Sequence, residues 1–217
     1  MMEISQRVSP KLSQTSNNIF LNEKLLARVK SIYDKKEQLN LSTEDAKLLE
    51  DLYESFKANG ATLNKDDKEK YRKLSMDLSM LTLQFDQNAL KDKNRFELLI
   101  TDENELSGLP ESARDAAAML AKSKDKDGWL FNLSAPSYIP FMRYSDKRDL
   151  REKMYREYMS VGNKGDEFDN KDIIKKIVNI RLEIAQLMGF KNYAEYALEH
   201  TMAKNSANVY KLLNQLQ

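Results

Sequence analysis

The 217-residue chain has no cysteine and a single histidine, His200. Without cysteine there can be no disulfide, thiolate nucleophile or zinc–thiolate site, which suits a reducing compartment. A lone histidine also rules out two histidines one helical turn apart, the arrangement by which a peptidase helix grips zinc. Position 197 is Ala197, so the Glu-x-x-His spacing of di-iron bundles is missing too. Glycine and proline are scarce, at 6 and 4 residues. Neither the Gly-x-x-x-x-Gly-Lys nor the Gly-x-Gly-x-x-Gly phosphate loop occurs. No run approaches the roughly 18 apolar residues of a membrane-spanning helix, and the N-terminus lacks a charged-then-apolar secretory pattern. Neither sign of charge dominates: 35 basic and 34 acidic residues interleave, leaving no basic face for nucleic acid. A soluble, cytoplasmic protein with neither nucleic-acid nor membrane partners is expected.

Hydrophobic residues make up 41% of the chain and charged residues 32%, in a balance rich in helix formers. The expected fold class is mainly α, as a single helical body over 1–217 with one small two-strand excursion. Apolar residues at three- and four-residue steps predict helices over roughly 22–38, 43–58, 65–91, 110–122, 146–160, 170–188, 191–200 and 206–217. Asn22, Ser42 with Asp45, and Asn64 are placed to cap the first three, and Ser206 to cap the last. Compact apolar runs at 95–101 and 128–133 read as strands, with Asp127-Gly128 as the turn before the second. Pro140 is expected to interrupt helical phase between Tyr138 and Tyr144. The stripe Val209, Leu212, Leu213 and Leu216 is still running at Gln217, which reads as a shortened sequence.

Each candidate for chemistry has a plainer structural reading. His200 near a helix end reads as a surface or structural residue. Glu44 and Asp45, Asp66 and Asp67, and Glu103 and Glu105 sit where first turns of helices attract carboxylates. Asp125 to Gly128 lacks the alternating oxygen ligands of a calcium loop. Gly162, Asn163, Lys164 and Gly165 match a Gly-x-x-Gly clamp in spacing, but lie between helices and read as a connecting turn. Met76 and Met80, one turn apart, serve as core filler or line a pliable groove. The residues therefore identify no catalytic, cofactor-binding or metal site.

Four stretches resemble a known family: YRKLSMDLSMLTLQFDQNAL from Tyr71, LSGLPESARDAAAMLAK from Leu106, APSYIPFMRYSDKRDLREKMYREYMSVGNKGDEFDN from Ala135, and MGFKNYAEYALEHTMA from Met188. In order and spacing they look like the region upstream of the catalytic domain in zinc metallopeptidases of the thimet oligopeptidase and peptidyl-dipeptidase family, and most of all its bacterial peptidyl-dipeptidase branch. The resemblance implies a two-lobed helical enzyme that hydrolyses short peptides in a deep channel, by zinc-activated water with a glutamate base. The family's His-Glu-x-x-His helix and later glutamate lie C-terminal to the matched region, so no ligand is carried over. Zinc is then expected in the full-length parent and none on this chain, which by itself is expected to be inactive. Expected partners are short peptide substrates of the parent, the missing catalytic lobe, and a second copy through the exposed interlobe surface. The alternative is a free-standing helical interaction module.

Overall fold

A computed structural model describes residues 2–217, and the chain is mainly α-helical with one two-stranded antiparallel sheet among the described residues. The elements are α1 Met2–Phe20, α2 Glu23–Tyr33, α3 Thr43–Ala58, α4 Lys65–Arg95, β1 Leu98–Ile100, α5 Glu111–Lys122, β2 Trp129–Phe131, α6 Ala135–Tyr144, α7 Arg148–Met159, α8 Lys171–Leu187, α9 Tyr193–Leu198 and α10 Ser206–Leu216. They divide into two compact units. The first takes the described residues up to Leu83 together with Lys175–Gln217, and the second is Gln84–Ile174. Among the described residues no helix is long and apolar enough to cross a membrane.

In the first unit the caps explain where helices begin. Asn22 Oδ1 accepts from the amides of Lys24 and Leu25, and Ser42 Oγ accepts from the Asp45 amide at 3.1 Å. Each satisfies donors that a helix start leaves orphaned, for about 1 kcal/mol. The helix read over 22–38 is shorter: α2 ends at Tyr33, and Lys36–Gln38 forms a separate 3-10 turn. Tyr33 stacks on Tyr53 of α3 with centroids 4.1 Å apart, and Lys36 lies over the Tyr33 ring. The cap of α10 is Asn205, one residue before Ser206: its Oδ1 accepts from the Asn208 amide at 3.0 Å. The buried centre of this unit is Leu21, Tyr71, Leu74 and Ile184, with Tyr196 packed against them.

Helix α1 has no counterpart among the helices read from the sequence. It runs through Pro10 and docks by polar contacts: Ser9 with Ser79 at 2.8 Å, Asn17 Nδ2 to Ser75 Oγ at 2.9 Å, and Arg72 to Asn18 at 3.0 Å. Its apolar stripe of Ile4, Val8, Leu12 and Ile19 is exposed. An apolar stripe normally marks the buried face of a helix, and here the relation is reversed.

The second unit has an apolar core. Strands β1 and β2 pair antiparallel with Leu98 opposite Phe131, Leu99 opposite Leu130 and Ile100 opposite Trp129. Leu98 and Ile100 point inward while Leu99 is exposed, the period-two alternation of a half-buried strand. Gly128 allows the sheet to close: its φ is +107°, and a Cβ there would run into the carbonyl oxygen of Ile100. Helix α6 continues through Pro140, so helical phase is not interrupted there. Proline removes one backbone donor and crowds the preceding turn, a cost of about 3 kcal/mol in a helix interior. Fully buried Phe141 offsets part of that cost, meeting Phe131 edge-on at 4.8 Å and 66° among Leu106, Leu133 and Met154.

Candidate functional site

In the second unit the chain leaving α7 is latched onto α4 by a buried carboxylate. Asp92 is fully buried; it accepts from the Gly162 amide at 2.7 Å and pairs with Arg95 at 2.7 Å and Lys164 at 3.1 Å. Lys164 also pairs with Glu157 at 2.7 Å, and Arg95 with Asp166. Burial pulls the Lys164 ammonium down, but its bonds to Glu157 and Asp92 outweigh this and raise it. The hydrogen bond from Arg95 holds Asp166 below the usual carboxylate range. Hydrogen bonds from Lys171 and the Gly165 amide hold Asp169 at about 2. Asn170 finishes the latch: its side chain binds Asn88 at 3.1 Å and the Phe85 carbonyl at 3.1 Å, while its amide donates to the Gly162 carbonyl at 2.7 Å. Gly162 takes φ +69°, and a Cβ there would press on the Asn170 amide nitrogen at 3.0 Å. The Gly162 to Gly165 spacing thus serves an intramolecular turn whose ammonium is spoken for. Sequence reasoning missed Asp92 because it sits among charged neighbours, Lys91, Lys93 and Arg95, that mark a solvated face.

His200 lies just beyond α9 and is half-exposed, with Nε2 3.3 Å from Glu199 and 3.9 Å from Glu54. It borders a cavity of about 430 Å³ with Lys47, Asp51 and Glu54. Asp51 is taken by Lys47 at 2.6 Å and Glu54 by Lys57 at 2.9 Å. Among the described residues no three His, Asp or Glu side chains converge to hold a metal ion. The histidine and glutamate donor set that the family resemblance implies for zinc is not matched by these residues.

The other candidates resolve into local structure. Asp45 accepts from Ser42 Oγ, and Asp67 from Asn64 Nδ2 at 2.7 Å, both in first turns of helices. Glu103 and Glu105 belong to the 3-10 turn Glu103–Leu106. The Asp125 turn is flanked by Lys124 and Lys126, whose hydrogen bonds to Glu97 hold that carboxyl below its usual range. Tyr138 stacks on Tyr158 at 4.2 Å, and burial pushes its phenol up. Arg143 lies over exposed Tyr144.

Helices α4 and α8 frame a groove of about 450 Å³ lined by Asp77, Met80, Leu81, Lys176, Asn179 and Ile180. Of the two methionines singled out, Met80 is exposed in this groove and Met76 is half-buried outside its lining. The groove brings Met80, Leu81 and Ile180 together with the opposite charges of Asp77 and Lys176.

Comparison with known proteins identifies relatives along the whole chain. It is 34% identical over 220 residues to oligopeptidase A of Salmonella typhimurium, and to the same degree to that of Escherichia coli, covering 100% of this chain and 32% of each relative. It is 32% identical over 205 residues to the dipeptidyl carboxypeptidase of Escherichia coli, covering 94% of this chain and 30% of that protein. The chain thus spans about a third of the length of these relatives. The sequence pattern of Peptidase family M3 matches residues 141–217. By these matches the chain is similar over its whole length to part of oligopeptidase A and of dipeptidyl carboxypeptidase, and over residues 141–217 to peptidase family M3.

Proposed function

We propose that the chain is a non-catalytic helical portion of a zinc-dependent oligopeptidase that hydrolyses short peptides in the cytoplasm. In that reading it forms one body with the remainder of the enzyme and shapes the approach to the substrate channel, while zinc and the general base reside elsewhere. The observation that carries the reading is the pattern of alignment: all of this chain aligns with oligopeptidase A, but only 32% of that protein is used. One feature of the molecule supports it: the first unit leaves apolar stripes uncovered, on α1 and at Leu212, Leu213 and Leu216 of α10, surfaces of the kind that pack against further protein.

The test is a cleavage assay on two proteins, this chain and a parent whose reading frame continues to a His-Glu-x-x-His helix. The parent should cleave short peptides and lose that activity to a chelator, while the chain alone is inactive in either condition. Chelator-sensitive cleavage by the chain alone, or a parent without peptidase activity, overturns the proposal. The latter result would favour a helical interaction module.

A further inference from the structure

We propose that the groove between α4 and α8 in the first unit binds a short peptide with free termini and one apolar side chain. The choice of a peptide rests on the oligopeptidase reading above. Lys70 of α4 pairs with Glu183 of α8 at 3.7 Å, and the groove brings Asp77, Met80 and Leu81 beside Lys176, Asn179 and Ile180. The two helices therefore run antiparallel there. Seven residues onward from Lys70 and seven back from Glu183 stand Asp77 and Lys176, each about 10 Å along its helix at 1.5 Å per residue. They face each other across the groove, yet no ion pair joins them. Neither they nor Asn179 have another hydrogen-bond or ion-pair partner among the described residues. Elsewhere in this unit Lys68 pairs with Glu23 and Lys57 with Glu54.

An extended dipeptide spans about 7 Å, short enough to bridge helices whose axes typically lie about 8–10 Å apart. Its ammonium meets the Asp77 carboxylate and its carboxylate meets the Lys176 ammonium. The Asn179 amide is placed to bond the central peptide group. An apolar side chain rests on Leu81 and Ile180 beside Met80, whose unbranched thioether adapts to different shapes. A single-charge ligand would leave one of the two facing charges unmatched. A zwitterion pairs with both.

The test is a titration of the 217-residue chain with leucyl-leucine, followed by amide NMR shifts, beside the same titration with N-acetyl-leucyl-leucine amide. Saturable shifts are expected around residues 77–81 and 176–180, with the doubly blocked peptide binding at least about fivefold more weakly, since two exposed ion pairs are lost. Asp77→Asn and Lys176→Gln should each weaken leucyl-leucine severalfold while leaving the far-ultraviolet spectrum unchanged. Equal binding of the blocked peptide, shifts outside the groove, no saturable shift, or tighter binding by D77N each overturns the proposal. If D77N misfolds, the blocked-peptide comparison on the unaltered chain still decides. Cleavage is not read in this titration, so its failure leaves the peptidase reading standing on the parent assay, and failure of that assay leaves the titration result intact.

Discussion

All of the largest fully buried side chains, among them Phe131, Phe141, Leu106 and Met154, lie in the second unit. The first unit instead leaves Leu12, Leu48 and Leu216 each roughly two-thirds or more exposed. The second unit closes its largest apolar side chains over one another, although Met119, Ile139 and Met159 stay exposed, and its buried carboxylate has three partners. The first holds its helices by caps, a small buried centre and polar contacts on α1, and turns much of its apolar surface outward. Core packing differs in kind between two units of one chain, so their responses to mutation should differ as well.

The contrast breaks most visibly at Phe141. Phe141→Ala should cost the second unit about 3–5 kcal/mol, the range for truncating a buried phenylalanine, measured by urea unfolding. Leu216→Ala in the first unit should fall within about 0.5 kcal/mol of zero, because its side chain is 76% exposed. A large loss at Leu216 would mean that its stripe is covered in solution. Next in size, Asp92→Ala should cost about 2–3 kcal/mol, leaving the Gly162 amide and Lys164 without their buried acceptor. Hydrogen exchange should accelerate at residues 160–170 before it does elsewhere in the second unit. In the first unit Tyr196→Phe removes the hydroxyl that donates to the Ala58 carbonyl at 2.8 Å, and should cost about 1 kcal/mol by the same denaturation.

The smallest effects come from pH: lowered carboxylates set an acid limb, chiefly in the second unit, and raised phenols an alkaline limb, chiefly in the first, while Glu23 in the first and Tyr138 in the second act the other way. In the second, Asp169 is depressed from 3.8 to about 2, and Asp166 and Glu97 are also lowered. Their unfolded forms bind protons first, so this stabilisation is present above the ordinary carboxylate value and is lost as pH falls from about 4 toward 2. In the first unit burial raises Tyr71 and Tyr196. Their unfolded forms lose protons first, so that contribution is complete below pH 10, the ordinary phenol value, and declines above it. Thermal melts with one tryptophan probe, Trp129 in the second unit, should report the acid limb; tyrosine ultraviolet difference spectra should report the alkaline one. The same onset for both units at both extremes would erase the contrast.

Much of the fold was legible in the sequence where local chemistry decides it. Asn22, Ser42 and Asn64 announce helix starts because their side chains bond amides two or three residues away, and short β-rich runs announce β1 and β2 around the Asp127-Gly128 turn. Where tertiary contacts decide, the sequence misled or was silent. Helix α1 keeps its apolar stripe outside, so periodicity did not reveal which face docks. Pro140 sits inside α6 because Phe141 gains a buried position against Phe131. Candidate chemistry followed the same division. The excess of lysine and arginine around Asp92 concealed a buried latch, since only the fold brings Gly162 and Lys164 to it across about 70 residues of chain.

By itself the sequence determined that this protein is helical and lacks cysteine and paired histidines, because composition and spacing suffice for that; its likeness to peptidase family M3 rests on four ordered stretches. Only the tertiary structure decided which carboxylate is buried, which stripes remain uncovered and which charges face each other across the groove. Those properties depend on residues distant in sequence meeting at a few ångströms, and no local pattern encodes that distance.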